Sequence, residues 1–178
     1  MHPQKKTWLV INVVGGIAVL GSYVHGLTTH PDTRQMLWGT IPEELKGVYN
    51  VTMLLAAAGY FLFSYHFAVR TDPAACRVGP FGFGFINACY ALIMVTSALW
   101  MPLTFAYFDQ PTSGLWLVIR FELLAVGVGS LGLLVALLVM EPRARGVAGV
   151  LALLGLVLFA LQTAFLDPIV WPEFIPGT

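Results

Sequence analysis

Arg120 and Glu122 sit two positions apart inside residues 115–140, a run that is otherwise almost wholly apolar, LWLVIRFELLAVGVGSLGLLVALLVM. About 20 apolar residues in a helix cross the roughly 30 Å hydrocarbon core of a bilayer, so this run spans with length to spare. An ionised side chain at the centre of such a helix costs about 2.5–3.5 kcal/mol on insertion scales, and such side chains turn to the bundle interior for partners. In that setting a carboxyl group can exchange a proton or cation, or hydrogen-bond the polar end of an otherwise apolar ligand. Helix positions two apart point about 200° apart, so Arg120 and Glu122 cannot readily satisfy each other. Their partners must come from other segments, although Arg120, with its long stem, can instead snorkel to the headgroups.

The composition says where those segments lie. Of 178 residues 58% are hydrophobic and 10% charged, and mean hydropathy is +0.81. Soluble domains carry about a quarter charged residues, so the chain reads as one all-α membrane domain. Nine basic and nine acidic side chains cancel, which leaves no basic field to attract nucleic acid. Cys76 and Cys89 form neither a CxxC pair nor a Cys/His metal spacing, so neither a disulfide framework nor a zinc site is expected.

Five apolar segments are expected to cross the bilayer, at residues 8–27, 47–69, 81–103, 115–140 and 147–166. The first follows a basic start but is longer than a signal-peptide core and lacks a small-residue cleavage site, so it reads as a retained span. Placing the N-terminus in the cytoplasm puts Lys5, Lys6, Arg70, Arg77, Arg143 and Arg145 inside and only Arg34 and Lys46 outside. That bias gives an N-in/C-out protein of a plasma or inner membrane. Asp32, Glu43, Glu44, Asp109, Asp167 and Glu173 then fall outside.

Several local signals refine the elements. Ala18, Ser22 and Gly26, four apart, give the first span a face a neighbouring backbone can approach. In the long outer loop Thr40-Ile41-Pro42-Glu43 carries a capping-box signature, which starts the second helix near Thr40, with Trp38 as an interfacial anchor. Asn50-Val51-Thr52 matches a glycosylation sequon, but a sequon within a span is not glycosylated. Phe81, Phe83 and Phe85 alternate with glycines as an aromatic belt, and Pro102 should kink or end the third helix. Thr112 or Ser113 supplies the cap of the fourth. The tail LDPIVWPEFIPGT, with Pro168, Pro172 and Pro176 around Trp171 and Phe174, is expected to be non-helical and to lie along the outer interface.

At about 1.5 Å of rise per residue, Arg120 and Glu122 lie roughly 7–12 Å in from the outer end of their span. At similar height fall Ser22, Tyr23 and His25 of the first span, Asn50 and Thr52 of the second, Thr96 and Ser97 of the third, and Gln162 and Thr163 of the fifth. His25, Asn50 and Gln162 are the best-placed partners. This layer has two explanations. It is structural glue, each interhelical hydrogen bond contributing about 0.6 kcal/mol. Otherwise it is the floor of a pocket open to the outer leaflet, lidded by residues 28–46 and the tail, since an ionisable residue inside a membrane marks a functional site.

Other chemistries fit less well. His25 and His66 lie at opposite ends of their spans and cannot hold one haem. His25, His30 and Asp32 in a loop are weak grounds for a metal. Gly127, Gly129 and Gly132 follow no strand and read as close helix packing rather than a nucleotide fingerprint. Neither a cofactor nor a catalytic residue is assigned, because Glu122 as a general acid would lack a second well-placed group.

Trp100, Pro102 and Phe105, in LWMPLTF, resemble the end of the third helix in the translocator protein family, also called tryptophan-rich sensory proteins. Pro42, Tyr49, Met53 and Gly59 resemble that family's second helix, while Ser97 stands where it usually has asparagine. The resemblance implies a five-helix bundle that binds porphyrins, sterols or similar flat apolar ligands near Trp100 and Tyr49. The expected function is binding of a small amphipathic or apolar ligand around Glu122, as a sensor, carrier or binding protein. The candidate residues are Glu122, Arg120, His25, Asn50, Tyr49, Trp100, Gln162 and Ser97. A proton- or cation-coupled transporter or channel is the alternative, and a subunit that docks onto a second copy or a larger membrane complex is the third.

Overall fold

Apolar length dictates the main elements, and in the computed structural model, which describes residues 1–175, five helices are long and apolar enough to cross a membrane. They are α1 (Pro3–Thr29), α2 (Glu43–Tyr65), α3 (Phe83–Asp109), α4 (Ser113–Val139) and α5 (Gly146–Ala160). Two of them run on in wider winding: a π turn, His66–Arg70, extends α2, and a longer π stretch, Leu161–Val170, extends α5. Short 3-10 turns follow at Arg34–Trp38, in the loop after α1, and at Trp171–Phe174. Among the described residues the only strands are β1 (Arg77–Val78) and β2 (Phe81–Gly82), which pair as an antiparallel hairpin.

The helix ends show which local signals act. Thr112 caps α4, its Oγ1 accepting from the Leu115 N–H at 3.2 Å. Thr40 does not cap α2. Its N–H and hydroxyl both donate to the Phe174 carbonyl, at 2.8 and 3.2 Å, so the helix begins at Glu43 behind Pro42. Glu43 and Glu44 then occupy the first turn, where a carboxylate is favoured by the helix dipole. Pro102 does not end α3, which continues to Asp109. Met101 and Phe105 are clamped on either side of it against Gly26 of α1, and that packing holds the helix through the lost hydrogen bond.

The tail is helical to Phe174, against the expectation of an irregular interfacial segment; Pro176 lies outside the described residues. The physical reason is burial. Trp171 and Ile175 pack with Ile41, Tyr49 and Tyr107, and Trp171 Nε1 donates to the Leu37 carbonyl at 2.8 Å. Of the expected aromatic belt, Phe81 is exposed and stacks on Phe85, whereas Phe83 is buried in the core.

The bundle is not ordered as the sequence is. α3 packs between α1 and α4, and α5 between α4 and α2. α1 meets α2 chiefly through side chains: the Tyr60 hydroxyl donates to Asn12 Oδ1, and Lys5 Nζ donates to the carbonyls of Phe67, at 2.7 Å, and Ala68. Gly26 is the only buried residue of α1, which turns Val10, Val14, Ile17, Leu20 and Val24 outward. Such an apolar exterior suits a bilayer rather than water.

Glycine is required where α2 and α5 meet. A Cβ added to Gly59 would lie 2.5 Å from the Gly155 carbonyl oxygen, and one added to Gly155 would lie 2.6 Å from that of Gly59. The connections opposite the long loop are also tied together, since Arg77 and Glu141 exchange backbone hydrogen bonds at 2.8 Å. Cys76, in the α2–α3 connection, is buried, and burial together with nearby Asp72 pushes its thiol up from the ordinary range. Only the thiolate reacts readily. Cys76 and the buried Cys89 are therefore expected to resist maleimide at neutral pH until the protein is unfolded, which mass spectrometry of the alkylated chain would show.

Candidate functional site

On α4 the inward stripe is Ile119, Glu122, Val126, Gly129 and Leu133, at the three- and four-residue spacing of a helix face. Glu122 is thus placed among core positions and is 4% exposed, yet among the described residues neither carboxyl oxygen has a hydrogen-bond partner. Two residues along the helix, Arg120 points elsewhere: it is half-buried and, among the described residues, makes no ion pair or hydrogen bond.

A second acid at this end comes from α5's extension, which packs on α4. Gln162, also 4% exposed, donates from Nε2 to Asp167 Oδ1 at 2.6 Å, while its Oε1 is unpartnered. Positions five apart on an α-helix lie about 140° apart and could not meet this way. The i→i+5 winding of the π stretch brings them to one face, as such turns often do at functional sites. Leu166 and Val170, on either side of Asp167, pack in the same cluster as Ile119 and Leu123, which flank Glu122. Tyr49 is held in turn, its hydroxyl donating to the Leu166 carbonyl at 3.0 Å.

Aromatic rings wall this end of the bundle. Tyr23, Trp100, Trp171, Trp116 and Tyr107 form a chain with successive centroid separations of 5.7, 5.8, 6.1 and 5.3 Å. On α3, Ser97, Trp100, Thr104 and Tyr107 share one helical face. The indole Nε1 of Trp100, Thr104 Oγ1 and the Tyr107 hydroxyl are buried without partners among the described residues. Above them the loop turn at Arg34–Trp38 and the tail turn at Trp171–Phe174 are bonded to each other through Leu37 and Thr40.

Matched against known protein families, curated proteins and solved structures, the chain resembles none closely enough to register. The site is therefore read from its own geometry. Of the residues singled out in the sequence, Glu122, Gln162, Tyr49 and Trp100 belong to this end's interior. Ser97 is half-buried on the Trp100 face, and Arg120 is half-buried without a partner. His25 and Asn50 are exposed, and none of the hydrogen bonds among the described residues joins either side chain to Glu122.

Asp167 is the residue that sequence reasoning missed. It falls just beyond the apolar run and counts there as an outside acid, and α-helical periodicity separates it from Gln162. Pro168, immediately after it, was the available signal, because a proline there breaks regular α winding.

What the arrangement offers chemically is a set of acceptors, the carboxyl groups of Glu122 and Asp167 and the amide oxygen of Gln162, beside broad aromatic faces. Two cavities, of about 350 and 200 Å³, lie at the opposite end of the bundle. At the Glu122 end the loop and tail turns are held together by Trp171. Trp171→Phe removes the indole N–H that ties them, a bond worth about 1 kcal/mol. Trypsin should then cut after the exposed Arg34 about fivefold faster, read by gel densitometry, with the helical circular dichroism unchanged.

Proposed function

We propose that this chain is an integral membrane protein, N-in/C-out in a plasma or inner membrane, that binds a small amphipathic ligand around Glu122 and Asp167. The observation that carries the reading is that a buried carboxyl group, 4% exposed and without any hydrogen-bond partner among the described residues, sits on the inward face of α4 at the end of the bundle where rings from α1, α3, α4 and the tail turn form a chain. Burying a polar group unpaired is costly, and a ligand that donates a hydrogen bond relieves that cost. The ligand is accordingly a flat or elongated apolar molecule with a hydroxyl or amine at one end. The resemblance of Trp100, Pro102 and Phe105 to translocator proteins favours sterols and porphyrins as first probes.

Trp100, Trp116 and Trp171 supply the readout. Titrating a sterol, a porphyrin and a long-chain amine into the protein in nanodiscs should give a saturable change in tryptophan fluorescence for at least one. A linear, non-saturating response to every probe would exclude the site.

A proton- or cation-coupled transporter is the second reading, favoured by polar pairs that continue through the bundle. Thr163 donates to Ser130 Oγ at 2.8 Å, and further along Ser64 bonds the Tyr90 hydroxyl at 2.9 Å and Tyr60 bonds Asn12. Phe159 stands between these groups: Thr163 bonds its carbonyl, and its ring packs on Tyr60. Uptake of acid into proteoliposomes that depends on Glu122 would favour transport over binding alone.

A further inference from the structure

At the end of the bundle away from Glu122, a cavity of about 350 Å³ opens between α2 and α5, lined by Leu62, Tyr65, Arg70, Arg145, Val147 and Leu151 among others. We propose that it binds an anionic phospholipid, with the phosphate held by Arg70 and Arg145 at the start of α5 and an acyl chain lying along Leu62, Val147 and Leu151.

Three independent features converge there. α5 begins at Gly146 with no side-chain cap and no acidic residue in its first turn, so its leading N–H groups and the positive end of its dipole are free to meet an anion. Arg70 and Arg145 form no ion pair among the described residues, and Arg70 is delivered to the cavity by the π turn that ends α2. An adjoining cavity of about 200 Å³ shares both arginines and adds Arg143 and His66. His66 is only 4% exposed, and its Nδ1 has no partner among the described residues. Asp72 is the single acid lining the pair of cavities, so three guanidinium groups outweigh it.

The chemistry recognised is a phosphate ester. The apolar half of the cavity selects the lipid form over a free anion, because Leu62, Val147 and Leu151 are exposed on the apolar side of the bundle where an acyl chain would run. Basic pockets between helices at the positively charged side of a membrane protein hold anionic headgroups in this way.

The test uses the full chain in detergent, with lipid binding followed by native mass spectrometry. Phosphatidylglycerol should bind saturably and phosphatidylcholine should not. Replacing both arginines, Arg70→Gln with Arg145→Gln, should weaken phosphatidylglycerol by about thirtyfold, from the loss of two charges near the headgroup. The pair Lys6→Gln and Arg77→Gln removes two exposed charges outside the cavity and should change little. Leu151→Trp, which fills the apolar half and keeps every charge, should also abolish lipid binding, and all variants carry exposed substitutions that leave the core intact. Equal binding of the two lipids, or equal losses in the two double variants, would overturn the site. Full competition by millimolar inorganic phosphate, with Leu151→Trp harmless, would overturn its assignment to lipid.

Discussion

Valine at Gly59 is expected to cost about 3 kcal/mol or more of stability, at or above the range usual for overpacking a core. Overpacking is normally relieved by rotating a side chain, but here the added Cβ meets the Gly155 carbonyl oxygen at 2.5 Å, and that atom belongs to the backbone of α5. The reverse contact, 2.6 Å from Gly155 to the Gly59 carbonyl oxygen, means that neither helix can yield alone. Relief requires α2 and α5 to move apart. Since α5 continues into the π stretch that carries Gln162 and Asp167, the separation would also displace that hydrogen-bonded pair. Gly155→Val should behave alike, and Gly16→Val, where nothing lies within 4 Å of the added Cβ, supplies the control. Thermal unfolding in detergent, followed by monodispersity on a sizing column, measures the difference; a Gly59→Val protein as stable as Gly16→Val would refute the close contact.

That contact also shows what a sequence discloses and what it withholds. Spans were legible because apolar length is a local property: the run at residues 115–140 becomes Ser113–Val139, and Thr112 is the cap its neighbours required. Gly127, Gly129 and Gly132 could be read as packing positions because they cluster. A Cβ added to them would lie 2.7–3.0 Å from Ala164, Ile93 and Cys89, but the tightest backbone-to-backbone approach between spanning helices belongs to two solitary glycines, Gly59 and Gly155. Nothing short of the neighbour order, α1–α3–α4–α5–α2, could have paired them.

The candidate site follows the same division. Rise per residue gives the height of a side chain, so Glu122, Gln162 and Tyr49 could be drawn to one end of the bundle. The face it occupies depends on which helices lie beside it. α1 packs on α3 alone over most of its length, so His25, on its outer side, is exposed, and Asn50 is exposed one position beyond the buried Tyr49. Asp167 was hidden for a different reason. Its role depends on a change in helical winding between Leu161 and Val170, and regular periodicity cannot express that. The tail was misjudged because proline content outweighed Trp171 and Ile175, whose burial against the loop fixes its fold.

Glu122→Leu is expected to separate stability from function. In the native protein the Glu122 carboxyl is desolvated with both oxygens unpartnered, and leaving a polar group unsatisfied costs about 1–3 kcal/mol. Leucine is of similar size and has no such cost at a position flanked by Ile119, Leu123 and Val126, so the thermal midpoint in detergent should rise. Ligand affinity should fall by about fivefold to a hundredfold, because leaving the ligand's buried donor without a partner costs about 1–3 kcal/mol. Glu122→Gln keeps the shape and one acceptor while removing the ionisable carboxyl group, so it should lose affinity for an amine probe more than for a hydroxyl probe. The three readings of the polar layer predict different outcomes. If the layer only holds helices together, Glu122→Leu lowers the midpoint and leaves tryptophan fluorescence titrations unchanged. If the carboxyl carries protons, acid uptake by proteoliposomes disappears in both variants while probe affinity persists. A gain in stability coupled to a loss of ligand response fits the binding site alone, because only there is the unpaired carboxyl retained at the expense of the fold.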